Sequence, residues 1–100
     1  MSDHVIGAID QIPVGEGRNF QVADTRIAIF RTHAGEVFAT QPDCPHLAGP
    51  LADGLMGGAT IVCPLHDRHF DLRTGDGPDC RLVTYPVSID PAGIISVSLP

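Results

Sequence analysis

Apolar residues recur at every second position in several short stretches, and nowhere along the chain do they keep a period of 3.6. Val83, Tyr85, Val87 and Ile89 alternate with more polar neighbours, and so do Ile95, Val97 and Leu99. Alternation of this kind predicts strands that bury one face. Segments rich in Val, Ile and Phe predict further strands over residues 4–9, 20–23, 26–32 and 36–40, with two more over 59–63 and 68–72. The chain holds 11 glycines and 9 prolines, and they fall between these segments. Ala34-Gly35 reads as a hairpin turn and Asp90-Pro91-Ala92-Gly93 as a second turn. The stretch GDGPD, residues 75–79, is a loop that Gly77-Pro78 makes stiff in part. At most residues 50–55 form one helical turn. The pattern predicts an all-β protein.

A length of 100 residues suits one domain, residues 1–100, with a modest core. A domain of this size buries roughly two-thirds of the surface of its unfolded chain, so a bound metal centre would add useful stability. No apolar run approaches the roughly 20 residues that span a bilayer. The N-terminal MSDHVIGAIDQIPVG lacks a basic region followed by an apolar stretch, which argues against a signal peptide and for the cytoplasm. The formal net charge is −6, and all six basic residues are arginine. Nucleic-acid binding wants a basic patch and is not expected. An acidic surface suits docking onto a basic partner, and equally it suits solubility alone.

The three cysteines are an odd number, which fits a disulfide framework poorly. Two of them stand in short motifs, Cys44-Pro45-His46 and Cys63-Pro64-Leu65-His66, with 16 residues between His46 and Cys63. Each motif sets one thiolate and one imidazole on a tight, proline-containing loop. Brought together, the loops make a site of two sulfurs and two nitrogens. Two occupants suit that set. Zinc accepts two Cys and two His, although its motifs more often pair two Cys in one knuckle and two His in the other. A [2Fe–2S] cluster accepts the same set with the cysteines on one iron and the histidines on the other.

Beyond the four ligands, CPHLAGPLADG and CPLHDRHFDLRTGD resemble the two cluster-binding loops of the Rieske family, and GPDCRLVTYPV is similar to that family's proline-containing loop and following strand. The resemblance covers most of the chain. It implies stacked antiparallel β-sheets, a β-sandwich with two cluster-binding loops at one tip. It implies one [2Fe–2S] cluster held by Cys44, His46, Cys63 and His66, with partly exposed histidines through which electrons leave. Residues implied around the cluster are Leu47, Leu65, Asp67, Arg68, Phe70 and Pro78. Leu47 and Leu65 either shield the cluster or pack ordinarily. Asp67 stands where many members have glycine; it either disfavours the reduced cluster through its charge or only caps the loop.

The high-potential members of respiratory complexes carry an extra Cys in each loop, at the positions of Gly49 and Leu65 here, and Ser and Tyr hydroxyls at the positions of Arg68 and Phe70. Without those hydroxyl donors the reduced cluster is less stabilised, and a potential near the low end of the Rieske range, on the order of −150 mV, is expected. The resemblance then implies a one-electron carrier, the ferredoxin component of a multicomponent, ring-hydroxylating oxygenase system. Its donor would be a flavin-dependent reductase and its acceptor a terminal oxygenase. The alternative is the small subunit of an NAD(P)H-dependent nitrite reductase, docking on the large subunit; a zinc-stabilised interaction module is a third reading. A terminal oxygenase needs a second, mononuclear iron, and only the scattered His4, His33 and His69 remain for it. No activity is expected of the chain alone. His33 and His69 read as surface residues, Tyr85 as core, and Cys80 as a small buried hydrophobe.

Overall fold

The run TRIAIFR is apolar at consecutive positions, and a strand of that composition needs cover on both faces. The computed structural model describes residues 2–45, 49–64, 68–78 and 80–100, and it supplies that cover. Among the described residues, ten strands make three antiparallel sheets. They are β1 (Ser2–Ala8), β2 (Glu16–Val22), β3 (Thr25–Arg31), β4 (Val37–Thr40), β5 (Leu55–Gly57), β6 (Thr60–Val62), β7 (His69–Asp71), β8 (Thr84–Tyr85), β9 (Val87–Ile89) and β10 (Ile94–Leu99). One sheet runs β1-β10-β9, the second β2-β3-β4-β8 and the third β5-β6-β7.

The second sheet lies between two cores. Ile27 and Ile29 of β3 pack with Ile12, Val22, Ala39, Ile95, Val97 and Leu99. The alternate residues Ala28 and Phe30 pack with Leu51, Ile61, Phe70, Leu72, Leu82 and two cysteines, Cys44 and Cys63. All four of Ile27 to Phe30 are fully buried. By contrast β10, in an outer sheet, buries every second residue only. The all-β, stacked antiparallel architecture is the one the sequence predicts.

The third sheet sits against the middle one partly because Gly17 allows it. A Cβ there would stand 2.6 Å from the Phe30 ring and 3.3 Å from the Ala52 Cα. Gly17 pairs with Phe30 across β2 and β3. Its bare backbone lets the ring lie flat and lets the 3₁₀ turn Leu51–Asp53 settle above it.

Local differences from the expected elements have plain causes. The first strand ends at Ala8 because Ile9–Gln11 is a 3₁₀ turn, with Ile12 N–H donating to Ile9 O. The alternating stretch 83–89 is two strands rather than one. Pro86 has no N–H to give a ladder, and the chain changes sheet there: Tyr85 pairs with Ala39, and Val87 with Val97. Val83 precedes both strands and is half exposed. Within 50–55, residues 51–53 form the short turn, but Leu55 already begins β5. Three residues are too few to display a period of two. Among the described residues, no helix is long and apolar enough to cross a membrane.

Candidate metal centre

Two loops rise from the core that holds the cysteines, and each is tied at its base in the same way. The first leaves β4, and its stems are held by a bridge between Asp43 and Pro50 and by Leu51 N–H donating to Pro42 O at 3.1 Å. The second joins β6 to β7, where Val62 pairs with His69. Cys44 N–H donates to Gly49 O at 2.7 Å, and Cys63 N–H donates to Arg68 O at 2.8 Å. Each cysteine is therefore locked by a bond to the residue five positions on. The amide of each is directed across its own loop.

Cys44 and Cys63 are 2% and 0% exposed, belong to one apolar cluster and form no disulfide. A buried pair of thiols outside any disulfide, each opening a closed loop, suits thiolate donors to a metal centre. Among the described residues, the other members of that core carry no side-chain oxygen: they are Ala28, Phe30, Leu51, Ile61, Phe70, Leu72 and Leu82. Soft sulfur ligands in apolar surroundings favour zinc or an iron–sulfur cluster over hard cations. The donor set present fits the thiolate half of a [2Fe–2S] site. The imidazole half rests on His46 and His66, which lie outside the described residues, as do Leu47, Leu65 and Asp67.

The remaining predicted residues are placed as follows. Phe70 is fully buried in the same core as both cysteines. Arg68 is half-buried, with its carbonyl closing the second loop and its Nε shielded from solvent. Pro78 is exposed on a third loop. That loop is pinned by Gly77 N–H donating to Cys80 O at 3.1 Å and by an Arg81–Asp76 ion pair at 2.9 Å. Cys80 is half-buried and packs against the core that holds the cysteines, rather than being fully inside it. His33 and His69 are exposed, and Tyr85 is half-buried against the other core.

Two contributors escaped the sequence reading. Gly77 lies flat on Phe70: a Cβ there would fall 2.5 Å from the ring. The Gly-Pro dipeptide signals a loop, but only the fold reveals the aromatic ring beneath it. The second is Gln41, at the exit of β4. Its Nε2 donates to Asp43 O at 2.8 Å, its Oε1 accepts from Val83 N–H at 2.7 Å, and its own N–H donates to Val83 O at 2.9 Å. No local pattern distinguishes such a glutamine from a solvated one.

Comparison with known proteins agrees with this geometry. The family model described as the Rieske [2Fe–2S] domain matches residues 2–87. The ferredoxin component of naphthalene 1,2-dioxygenase/salicylate 5-hydroxylase systems from Ralstonia sp. is 37% identical over 86 residues, covering 82% of each chain. Among solved structures, the ferredoxin of carbazole 1,9a-dioxygenase from Nocardioides aromaticivorans superposes with a TM-score of 0.86 at 26% identity, over the whole of both chains. A Mycobacterium tuberculosis protein assigned as an NADH-dependent nitrite reductase small subunit superposes with a TM-score of 0.89 at 23% identity, over 99% of this chain and 96% of its own. That last likeness shows the shared fold.

Proposed function

We propose that this chain, which belongs to the Rieske [2Fe–2S] domain family, is a one-electron carrier of the ferredoxin type that works in the cytoplasm within a multicomponent, ring-hydroxylating oxygenase system. The observation that carries the reading is the buried pair Cys44 and Cys63, not joined in a disulfide, on two loops closed by the same amide-to-carbonyl bond. On this reading Cys44 and Cys63 hold one iron and His46 and His66 the other. The bound cluster supplies reversible acceptance of a single electron.

The protein's own part is to bind, to exclude water and to hold still. Phe70, Leu72 and Leu82 keep water from the thiolate side. The loop-closing bonds and the prolines beside each cysteine limit movement when charge changes. Two features support a low potential, on the order of −150 mV. Phe70 has no hydroxyl to offer a cysteine sulfur. The amides of Cys44 and Cys63 are already engaged, by Gly49 O and Arg68 O, rather than offered to a cysteine sulfur.

A flavin-dependent reductase is the proposed donor and a terminal oxygenase the acceptor. The 37%-identical relative, a ferredoxin component, favours this over service as a nitrite reductase small subunit. The net charge of −6 favours basic docking surfaces on both partners. Affinity capture from cells that naturally express the chain separates the two. An oxygenase ferredoxin comes through without a large partner at physiological salt. Stable co-purification with a siroheme- and flavin-containing chain would replace the first reading with the second.

A further inference from the structure

The peptide unit that leads into Cys44 is gripped at both of its polar ends. Its carbonyl, that of Asp43, accepts from Gln41 Nε2 at 2.8 Å; its N–H, that of Cys44, donates to Gly49 O at 2.7 Å. A peptide plane held at both ends cannot rotate without breaking one of the two bonds, and its orientation fixes where the Cys44 Cα and sulfur lie. The same carboxamide reaches a second segment. Gln41 Oε1 accepts from Val83 N–H at 2.7 Å, and Gln41 N–H donates to Val83 O at 2.9 Å. Val83 follows the third loop, whose base is set by Leu82 N–H donating to Gly75 O at 2.8 Å. One side chain thus joins the first loop to the stem of the third.

A carboxamide suits this task because it carries a donor and an acceptor on one rigid plane. A carboxylate would offer the acceptor alone, and a thioether neither. The geometry points to Gln41 as a positioning residue of the metal centre: it orients the Asp43–Cys44 peptide, and with it the Cys44 thiolate, without touching the metal. This rests on Cys44 being a ligand. Residues that act on ligands from outside the coordination sphere tune a metal through ligand geometry, so the effect belongs in the spectrum as well as in the stability.

The test compares the iron-loaded wild type with Gln41→Met, Gln41→Glu and Arg31→Met. Arg31 Nη1 donates to Ile12 O at 3.0 Å, beside the first 3₁₀ turn rather than to a cysteine loop, so its loss serves as the stability control. Gln41→Met loses both side-chain bonds and is expected to displace the EPR g-values of the reduced protein and to accelerate bleaching in urea about thirtyfold, the factor for two hydrogen bonds of ordinary net strength. Gln41→Glu keeps the bond from Val83 N–H and loses the one to Asp43 O, and is expected to displace the g-values in the same sense. A folded Gln41→Met chain that holds no cluster also supports the inference. Arg31→Met lowers the melting temperature with unchanged g-values. Wild-type g-values in either Gln41 variant overturn the positioning role while leaving the ligand reading intact. A wild type with no rhombic signal removes the ligand reading and this inference with it.

Discussion

Adding one methyl group to Gly77 tests whether the third loop is packed against the core that holds Cys44 and Cys63 or merely near it. A Cβ at Gly77 would stand 2.5 and 2.6 Å from two carbons of the Phe70 ring and 2.9 Å from Cys80 O. The first of these is about 0.9 Å short of the 3.4 Å at which ordinary contact begins. Phe70 has nowhere to retreat, being 0% exposed among Leu72, Leu82, Cys44 and Cys63. The loop can retreat only by stretching the Gly77 to Cys80 hydrogen bond and the Arg81–Asp76 pair. Overpacking of this kind costs about 1–3 kcal/mol. In a domain of this size each kcal/mol moves the melting temperature by roughly 4–8 °C, so Gly77→Ala is expected to melt about 5–20 °C below wild type. Gly57→Ala is the control. No atom lies within 4 Å of a Cβ there, and Gly57 is not among the glycines with positive φ. It is expected to stay within about 1 kcal/mol of wild type. Melts followed by far-UV circular dichroism and by visible absorbance on one sample report fold and cluster together. Coincident melting of Gly77→Ala and Gly57→Ala would refute the packing argument.

Further outcomes follow from other sites. Cys80 packs on the core without joining either ligand loop, so Cys80→Ala keeps the EPR spectrum of the wild type; a lost or altered signal would make it part of the centre. Arg31 caps the first 3₁₀ turn through Ile12 O, with its Nε buried, and Arg31→Met is expected to lower stability by about 1–3 kcal/mol in denaturant titration. Ala23 holds φ 53 in the turn between β2 and β3, a conformation costing roughly 1–2 kcal/mol for an L-residue. Ala23→Gly is therefore expected to raise the melting temperature slightly, despite the greater freedom of glycine in the unfolded chain.

The sequence was most readable where a local pattern has one physical cause. The strict alternation of 95, 97 and 99 marks a strand covered on one side, and the run 27–30 a strand covered on both. The Cys/His motifs were legible because thiolate and imidazole at such spacing serve few purposes besides metal binding. The alternation across 83–89 misled on length alone, since Pro86 moves the chain from one sheet to another while the side-chain period runs on. Gln41 and Gly77 were invisible for a different reason. Their roles come from partners 42 residues away at Val83 and seven at Phe70, and neither residue type announces a partner. The surroundings of the cysteines thus belong to the fold, whereas the cysteines themselves belong to the motif.

The central claim is that Cys44, His46, Cys63 and His66 hold a [2Fe–2S] cluster. Its most direct test is an EPR spectrum of the dithionite-reduced protein, purified without oxygen, beside the same spectrum of His66→Ala. The account predicts a rhombic signal with an average g below the free-electron value in the wild type, and its loss in the variant. A silent wild type carrying zinc by elemental analysis, or a His66→Ala spectrum identical to wild type, would contradict it.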